Sequence, residues 1–240
     1  MSDLLQLAID AHGGIDRWNE IQRFEAQISI TGAIWYVKQK PDVFKSVTIR
    51  ALTHEQQVTL TPVGGAGNRT FFADDTLTWE TDAGEVLEER RHPVASFEGQ
   101  SLESPWDDLH AAYFATEAIW TYLTVPFLFT YPGFRSREIE PRQEAGETWR
   151  GLEVTFPDDI HSHTRVQKFY FGEDGLLRRH DYTVDILGGG TGANYATEIQ
   201  EIDGIKVPMH RRIWAYDEHE EVVPDPLLVA VDIQSLRFLP

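Results

Sequence analysis

The run at 167–185, QKFYFGEDGLLRRHDYTVD, constrains the fold more than any other segment. Aromatic and aliphatic residues flank a corner made by Glu173, Asp174 and Gly175, which is the pattern of strand, tight turn and strand. A second hairpin of the same kind runs from Tyr195 through Asp203-Gly204 to Tyr216. Two such hairpins in succession call for an antiparallel sheet. With 7 Trp and 13 Phe in 240 residues, that sheet either buries a helix or holds a ligand, and 41% hydrophobic residues suffice for one sizeable core.

The remainder reads as more of the same sheet. At 24–37, Phe24, Ala26, Ile28 and Ile30 alternate with polar residues, predicting one long strand bent at Gly32. Shorter strands follow at 44–51, 57–61, 69–73, 76–80 and 86–90, then at 148–156, with a last strand at 227–238. Their connections are too short for parallel crossovers. Residues 3–12 predict an amphipathic helix ended by Gly13 and Gly14, with a further turn or two pressing Trp18 and Ile21 inward. Ser104-Pro105-Trp106-Asp107 reads as a helix start, with Ser104 as cap and Pro105 at the first position. Pro126 ends that helix, and 127–134 is an aromatic loop. The expectation is one α+β domain over 1–240. A large curved antiparallel sheet forms an incomplete β-barrel, covered on its concave face by helices, one of them an insert at about 104–125.

Composition narrows the partners. The net charge of −18 repels nucleic acid and anionic membrane surfaces. Cysteine is absent, which excludes disulfides, thiolate catalysis and cysteine metal sites. No integral membrane segment is expected, because the longest apolar patch, 123–134, is broken by Pro126 and Pro132. The opening MSDLLQLAIDAHGG carries no basic region or apolar core of a leader. It predicts a soluble, cytoplasmic protein, or a periplasmic one only if a signal peptide has been removed. The oligomeric state is not legible.

Four short features point to a family. They are His12-Gly13-Gly14 followed by Trp18, the strand ending in Gly32, the FYFGEDGLLRRHDY hairpin and the later DGIKVP turn. Together they resemble the periplasmic lipoprotein-carrier fold, that of outer-membrane lipoprotein sorting proteins. The resemblance implies an incomplete barrel with a greasy cavity under a helical cover. It does not name the occupant, because one scaffold hosts many roles.

Candidate site residues come from the aromatics and histidines. Trp35, Trp106, Tyr113 and Trp120 are expected in the cavity wall with Phe127, Phe129, Phe169, Tyr182 and Trp214. On the strand after Gly175, His180 and Tyr182 share the expected inward face. Arg179, Asp181, Thr183 and Asp185 share the outward one as ordinary ion pairs. His180 is either a proton carrier or a hydrogen-bonded core histidine. Asp107 and His110, three apart on the inserted helix, either form its cap or fix a histidine tautomer for a ligand. His12 ends the first helix, where a protonated ring gains from the helix dipole. At 209–214, Met209, Arg211 and Ile213 alternate with His210, Arg212 and Trp214. An inward arginine anchors a carboxylate or phosphate, and Arg212 is assigned to the lining. His161 and His163 follow a Pro-Asp-Asp loop and make, with His180, a weak zinc set of nonspecific spacing. No metal or other cofactor is expected. The Gly-rich runs lack nucleotide-site context, and no GxSxG elbow is present.

Three functions follow. The first is binding of a hydrophobic or amphipathic small molecule between sheet and helices. The second is a cofactor-independent isomerase, lyase or hydrolase for a hydrophobic substrate, with His110, His180, Asp107 and Tyr182 as catalytic candidates. The third is a structural or interaction protein with a filled core.

Overall fold

A computed structural model describes residues 2–240. Alternation sets the facing of each strand. In β1 (Arg23–Thr31), Phe24, Ala26, Ile28 and Ile30 are buried and the residues between them are not. β2 (Phe44–Leu52), β3 (Val58–Thr61), β4 (Asn68–Ala73), β5 (Thr76–Thr81) and β6 (Val86–Arg91) continue as a meander. A second meander holds β7 (Arg135–Glu144), β8 (Glu147–Thr155), β9 (Val166–Phe171), β10 (Leu177–Val184), β11 (Gly190–Ile202) and β12 (Ile205–Tyr216). The short β13 (Val222–Val223) pairs with β12, and β14 (Val229–Leu239) joins the halves by lying between β1 and β12. The order is β6-β5-β4-β3-β2-β1-β14-β12-β11-β10-β9-β8-β7, antiparallel throughout. β6 and β7 remain free edges, so the barrel is incomplete.

β7 is an addition to the expected strands. Its sequence, RSREIEPRQE, shows no apolar alternation because it is a charged edge, the common defence against edge-to-edge pairing. The strand expected at 24–37 is corrected. It stops at Thr31, and Gly32, at φ 122°, lies so close to β14 that a Cβ there would sit 2.4 Å from the Leu228 carbonyl oxygen. The chain then turns into α3 (Ala33–Val37), which presses Ile34 and Trp35 inward.

At the N-terminus, α1 (Asp3–Ala11) buries Leu4, Leu5, Ala8 and Ile9, and α2 (Ile15–Asn19) buries Trp18. The Gly13 and DGIKVP features touch each other. A Cβ on Gly13 would stand 2.2 Å from the Gly204 carbonyl oxygen, and the Lys206 amide donates to the His12 carbonyl at 2.9 Å.

The insert is α4 (Asp108–Thr124), and its start is corrected. Asp107, not Ser104, is the N-cap, because its carboxylate accepts from the His110 amide at 2.8 Å. Pro126 ends it as expected, with Val125 as the C-cap. Almost every residue from Leu109 to Thr124 is buried, as expected of a helix that is apolar on all sides. The Trp120 indole donates to the Leu52 carbonyl of β2 at 2.9 Å, while the Tyr122 hydroxyl meets that of Tyr182 in β10 at 2.7 Å. Strands five places apart in a flat sheet stand roughly 24 Å from each other. One helix reaches both because the sheet curves around it.

Candidate functional site

The space left beside α4 inside the curve is small. A slot of about 20 Å³ runs between Phe114, Ala115, Ala118, Ile119 and Tyr122 of α4 and a wall of Ile30, Trp35, His163, Tyr182, Val229 and Val231. That is room for about one water molecule. Trp35 and Tyr182, expected in the wall, are there. Trp106, Tyr113, Trp120, Phe127, Phe129 and Phe169 are buried but lie outside the slot lining, several of them packed on other rings. Phe127 stacks on Trp18 with centroids 4.4 Å apart, Phe129 meets Phe169 at 4.7 Å, and Trp106 meets Phe97 at 5.7 Å. Trp214 is corrected to the outer face, where it packs against Tyr195 at 5.7 Å, because the inward row of β12 is Met209, Arg211 and Ile213.

Behind the slot the sheet turns polar. Paired residues make an inward row of Leu152, Phe169, His180, Asn194, Ile213 and Val229 across five strand pairings. His180 lies flat on Phe169 at 4.1 Å, and one ring nitrogen bonds the Gln167 amide oxygen at 2.5 Å. Burial, aided by the Arg211 charge, holds its pKa well below the ordinary histidine value, so the ring is neutral. The inward placement of His180 and Tyr182 agrees with the sequence reading. Burial pushes the Tyr122 hydroxyl up to about 12 and also holds that of Tyr182 well above the ordinary tyrosine value.

Two residues in this layer, Glu117 and Asn194, were not foreseen as site residues. Glu117 and His163 form a pair at 2.6 Å, both nearly excluded from solvent. The signal for Glu117 was available, since it is the one Asp, Glu, Lys or Arg between Asp108 and Arg135. Asn194 is fully buried at the centre of the inward row.

Arg211, not Arg212, is the inward arginine, and the assignment of Arg212 to the lining is corrected. Arg212 points outward and pairs with Asp232 at 2.6 Å. Arg211 is 2% exposed, stacks over the Tyr122 ring at 4.6 Å, and donates to the Tyr122 carbonyl at 2.8 Å. That carbonyl needs a donor because the residue four positions on is Pro126, which has no amide hydrogen.

The remaining candidates sit elsewhere. His110 closes a capping box with Asp107, and its Nε2 lies 3.2 Å from the Ser96 carbonyl oxygen and 3.0 Å from the Gln100 amide nitrogen. No ring nitrogen is left for a ligand, so the capping alternative describes this pair. Against the cost of partial burial, hydrogen bonds from His110 and Arg90 hold the Asp107 carboxyl far below its ordinary range. His161 bonds the Tyr113 hydroxyl at 2.7 Å, facing an open groove of loop residues that includes Asp75 and Asp159. It thus stands apart from His163 and His180, and among the described residues no three His, Asp or Glu side chains converge to hold a metal. His12 is the C-cap of α1 as expected, but it is buried and so does not carry the charge that would gain from the helix dipole. It donates to the Ala8 carbonyl at 2.7 Å, and burial lowers its pKa to about 4.

The outward row of β10 is also corrected. Arg179 and Asp181 are not surface ion pairs but a buried one, 2.6 Å apart. Arg179 further donates to Glu144 at 2.9 Å, Tyr195 at 2.9 Å and the Glu220 carbonyl at 3.0 Å.

No family model matches this chain, and no curated protein matches it. Solved structures do. A DUF1329 family protein from Desulfovibrio piger shares 14% identity at a TM-score of 0.54, over 98% of this chain and 91% of that one. A LolA superfamily protein from Nitrosomonas europaea shares 10% identity at 0.55, over 98% and 92%. A domain assigned to outer membrane lipoprotein sorting, from Vibrio parahaemolyticus, shares 11% identity at 0.53, over 98% and 91%. These likenesses establish a shared fold at distant relationship, the one that the sequence features resemble. Among the described residues no helix is long and apolar enough to cross a membrane.

Proposed function

We propose that the protein, acting as one domain, binds a hydrophobic or amphipathic small molecule between α4 and the curved sheet. The observation that carries this reading is the slot itself, where the small side chains of Ala115 and Ala118 face Val229, Val231 and Ile30 inside an incomplete barrel. In chain order α4 lies between the two edge strands, β6 and β7, and side-chain bonds from Trp120, Tyr122 and Arg211 tie it to the sheet. Its withdrawal widens the slot without breaking a strand pairing. Apolar walls with a few polar groups behind them suit a ligand of this class. The fold shared with a protein assigned to outer membrane lipoprotein sorting favours the cell envelope over the cytoplasm as its place of work.

A second reading has an observation of its own. A slot of about 20 Å³ is what a filled core leaves, and a structural protein needs no more. Titration with the neutral dye 1-aminoanthracene separates the two. Saturable fluorescence enhancement that Ala118→Trp weakens by about tenfold or more, through filling the slot, supports binding. Absence of enhancement in a folded wild-type protein supports the filled core.

A further inference from the structure

The polar layer behind the slot is unfinished. Arg211 uses one hydrogen bond of its guanidinium on the Tyr122 carbonyl, and among the described residues its Nη1 has no partner. Among the described residues neither side-chain atom of Asn194 has a partner within hydrogen-bond distance, its amide lying beside the Tyr122 hydroxyl, and Nδ1 of His180 has none either. All three residues are at least 98% buried. They belong together: His180 and Asn194 are cross-strand partners, and Asn194 pairs with Ile213, two residues along the same inward face from Arg211. Among the described residues no carboxylate pairs with Arg211, although the chain carries 39 acidic residues.

Buried charges are ordinarily paired, and buried polar groups are ordinarily bonded. A stranded guanidinium beside a stranded amide is costly to a protein that has no use for them. Structural need accounts for only part of Arg211, namely the carbonyl orphaned by Pro126. The guanidinium otherwise lies over the ring of Tyr122, one of the residues that wall the slot.

We propose that Arg211 and Asn194 form a head-group site for a carboxylate, and that the amphipathic ligand of this protein is a long-chain carboxylic acid. The inference rests on the binding reading given above. The acid enters carboxylate-first, parting the Tyr122–Tyr182 hydrogen bond. It accepts from Nη1 of Arg211 and from the Asn194 amide while its chain lies along the Ala115–Ala118 face of α4. A single guanidinium suits a single negative charge, and a terminal group suits a closed end. A phosphodiester lies mid-molecule and would have to bury its own head group as well. Burial lowers the Arg211 pKa only to about 10, so the group is still cationic at neutral pH.

The test is displacement of 1-aminoanthracene by hexadecanoic acid and by methyl hexadecanoate, two ligands differing only at the head. Charge-assisted bonds in a dry site predict that the acid binds about ten- to a hundredfold more tightly. Arg211→Met is expected to abolish that preference, and Asn194→Leu, which touches no charge, to reduce it. Equal displacement by acid and ester from wild-type protein overturns the head-group site while leaving the slot as a binding site. Failure of both to displace bound dye, or failure of the dye to bind, overturns the cavity reading on which the site rests. Tighter binding of hexadecyl phosphate than of the acid overturns the choice of carboxylate. The acid–ester comparison uses wild-type protein, so it stands even where a variant does not fold.

Discussion

Two arginines are buried in this sheet, on opposite faces, and they are treated in opposite ways. Arg179, on the outer face of β10, has Asp181, Glu144, Tyr195 and the Glu220 carbonyl as acceptors. Arg211, on the inner face of β12, has one carbonyl and an aromatic ring. The charge on Arg179 is compensated by its surroundings, and its pKa is raised because its carboxylate and tyrosine partners outweigh burial. The charge on Arg211 is not, and burial lowers its pKa. The contrast separates a group that holds the fold from a group held by it. Buried charge is informative about function where its surroundings leave it incomplete.

The largest test of that contrast is stability. Removing one member of a buried ion pair strands the other and costs about 3–5 kcal/mol. Arg179→Met leaves the buried Asp181 without its cation, while Glu144 keeps Arg142, so urea unfolding should show a loss of that size. Arg211→Met removes an uncompensated charge, a gain, and strands the Tyr122 carbonyl, a loss of about 1–3 kcal/mol. The two offset, and the net change is expected to stay within about 1 kcal/mol of wild type. Equal losses from both substitutions would dissolve the distinction.

A smaller effect sharpens it through pH. Two buried histidines feel the Arg211 charge and are held from charging themselves. His12 is held at about 4, chiefly by burial and secondarily by the Arg211 charge, with the Ala8 hydrogen bond opposing, and His180 is lowered for similar reasons. Between pH 6.5 and 4 the unfolded chain binds a proton at position 12 that the folded protein does not, so stability rises with pH across that window. The contribution is whole above pH 6.5 and is lost on acidification to pH 4, amounting to about 3 kcal/mol for His12 alone. Urea midpoints taken from pH 7 to pH 4 should fall accordingly. His12→Gln should remove that part of the slope, and Arg211→Met should shrink it. An unchanged slope in His12→Gln would show that the ring does not stay neutral in the folded protein.

Much of this was legible in the sequence, and the failures have physical causes. Turn chemistry at Glu173-Asp174-Gly175 and Asp203-Gly204 specified the hairpins, and alternation from Phe24 to Ile30 specified β1 up to Gly32. α3 was hidden because Ile34-Trp35-Tyr36-Val37 is β-branched and aromatic and reads as strand, whereas Gly32 turns the chain away from the sheet. Charge hid β7. The burial of Arg179 and Asp181 is caused by Tyr195, Glu144 and the 217–221 turn, which are distant in sequence, and no local pattern reports such cover. The inward face of β10 could be read from His180 and Tyr182. The parity of β12 could not, since Met209 and Ile213 on one row were set against Trp214 on the other, and the sheet has rings packed on both faces.

That undecided parity yields the smallest prediction, and it isolates the inner arginine from its neighbour. Arg212 follows Arg211 directly and pairs with Asp232, which also accepts from His210 at 2.5 Å. Its side chain is 31% exposed, so solvent screens the pair. Arg212→Ala is therefore expected to cost no more than about 1 kcal/mol, measured as a shift in urea midpoint. It should also leave the preference for hexadecanoic acid over its methyl ester as it is in wild type. The two substitutions remove the same charge from adjacent positions, so long-range electrostatics acts on both. What differs is the face. If Arg212→Ala weakened the acid preference as strongly as Arg211→Met, the preference would belong to the general field of the sheet. A loss confined to Arg211 assigns it to a contact made inside the curve.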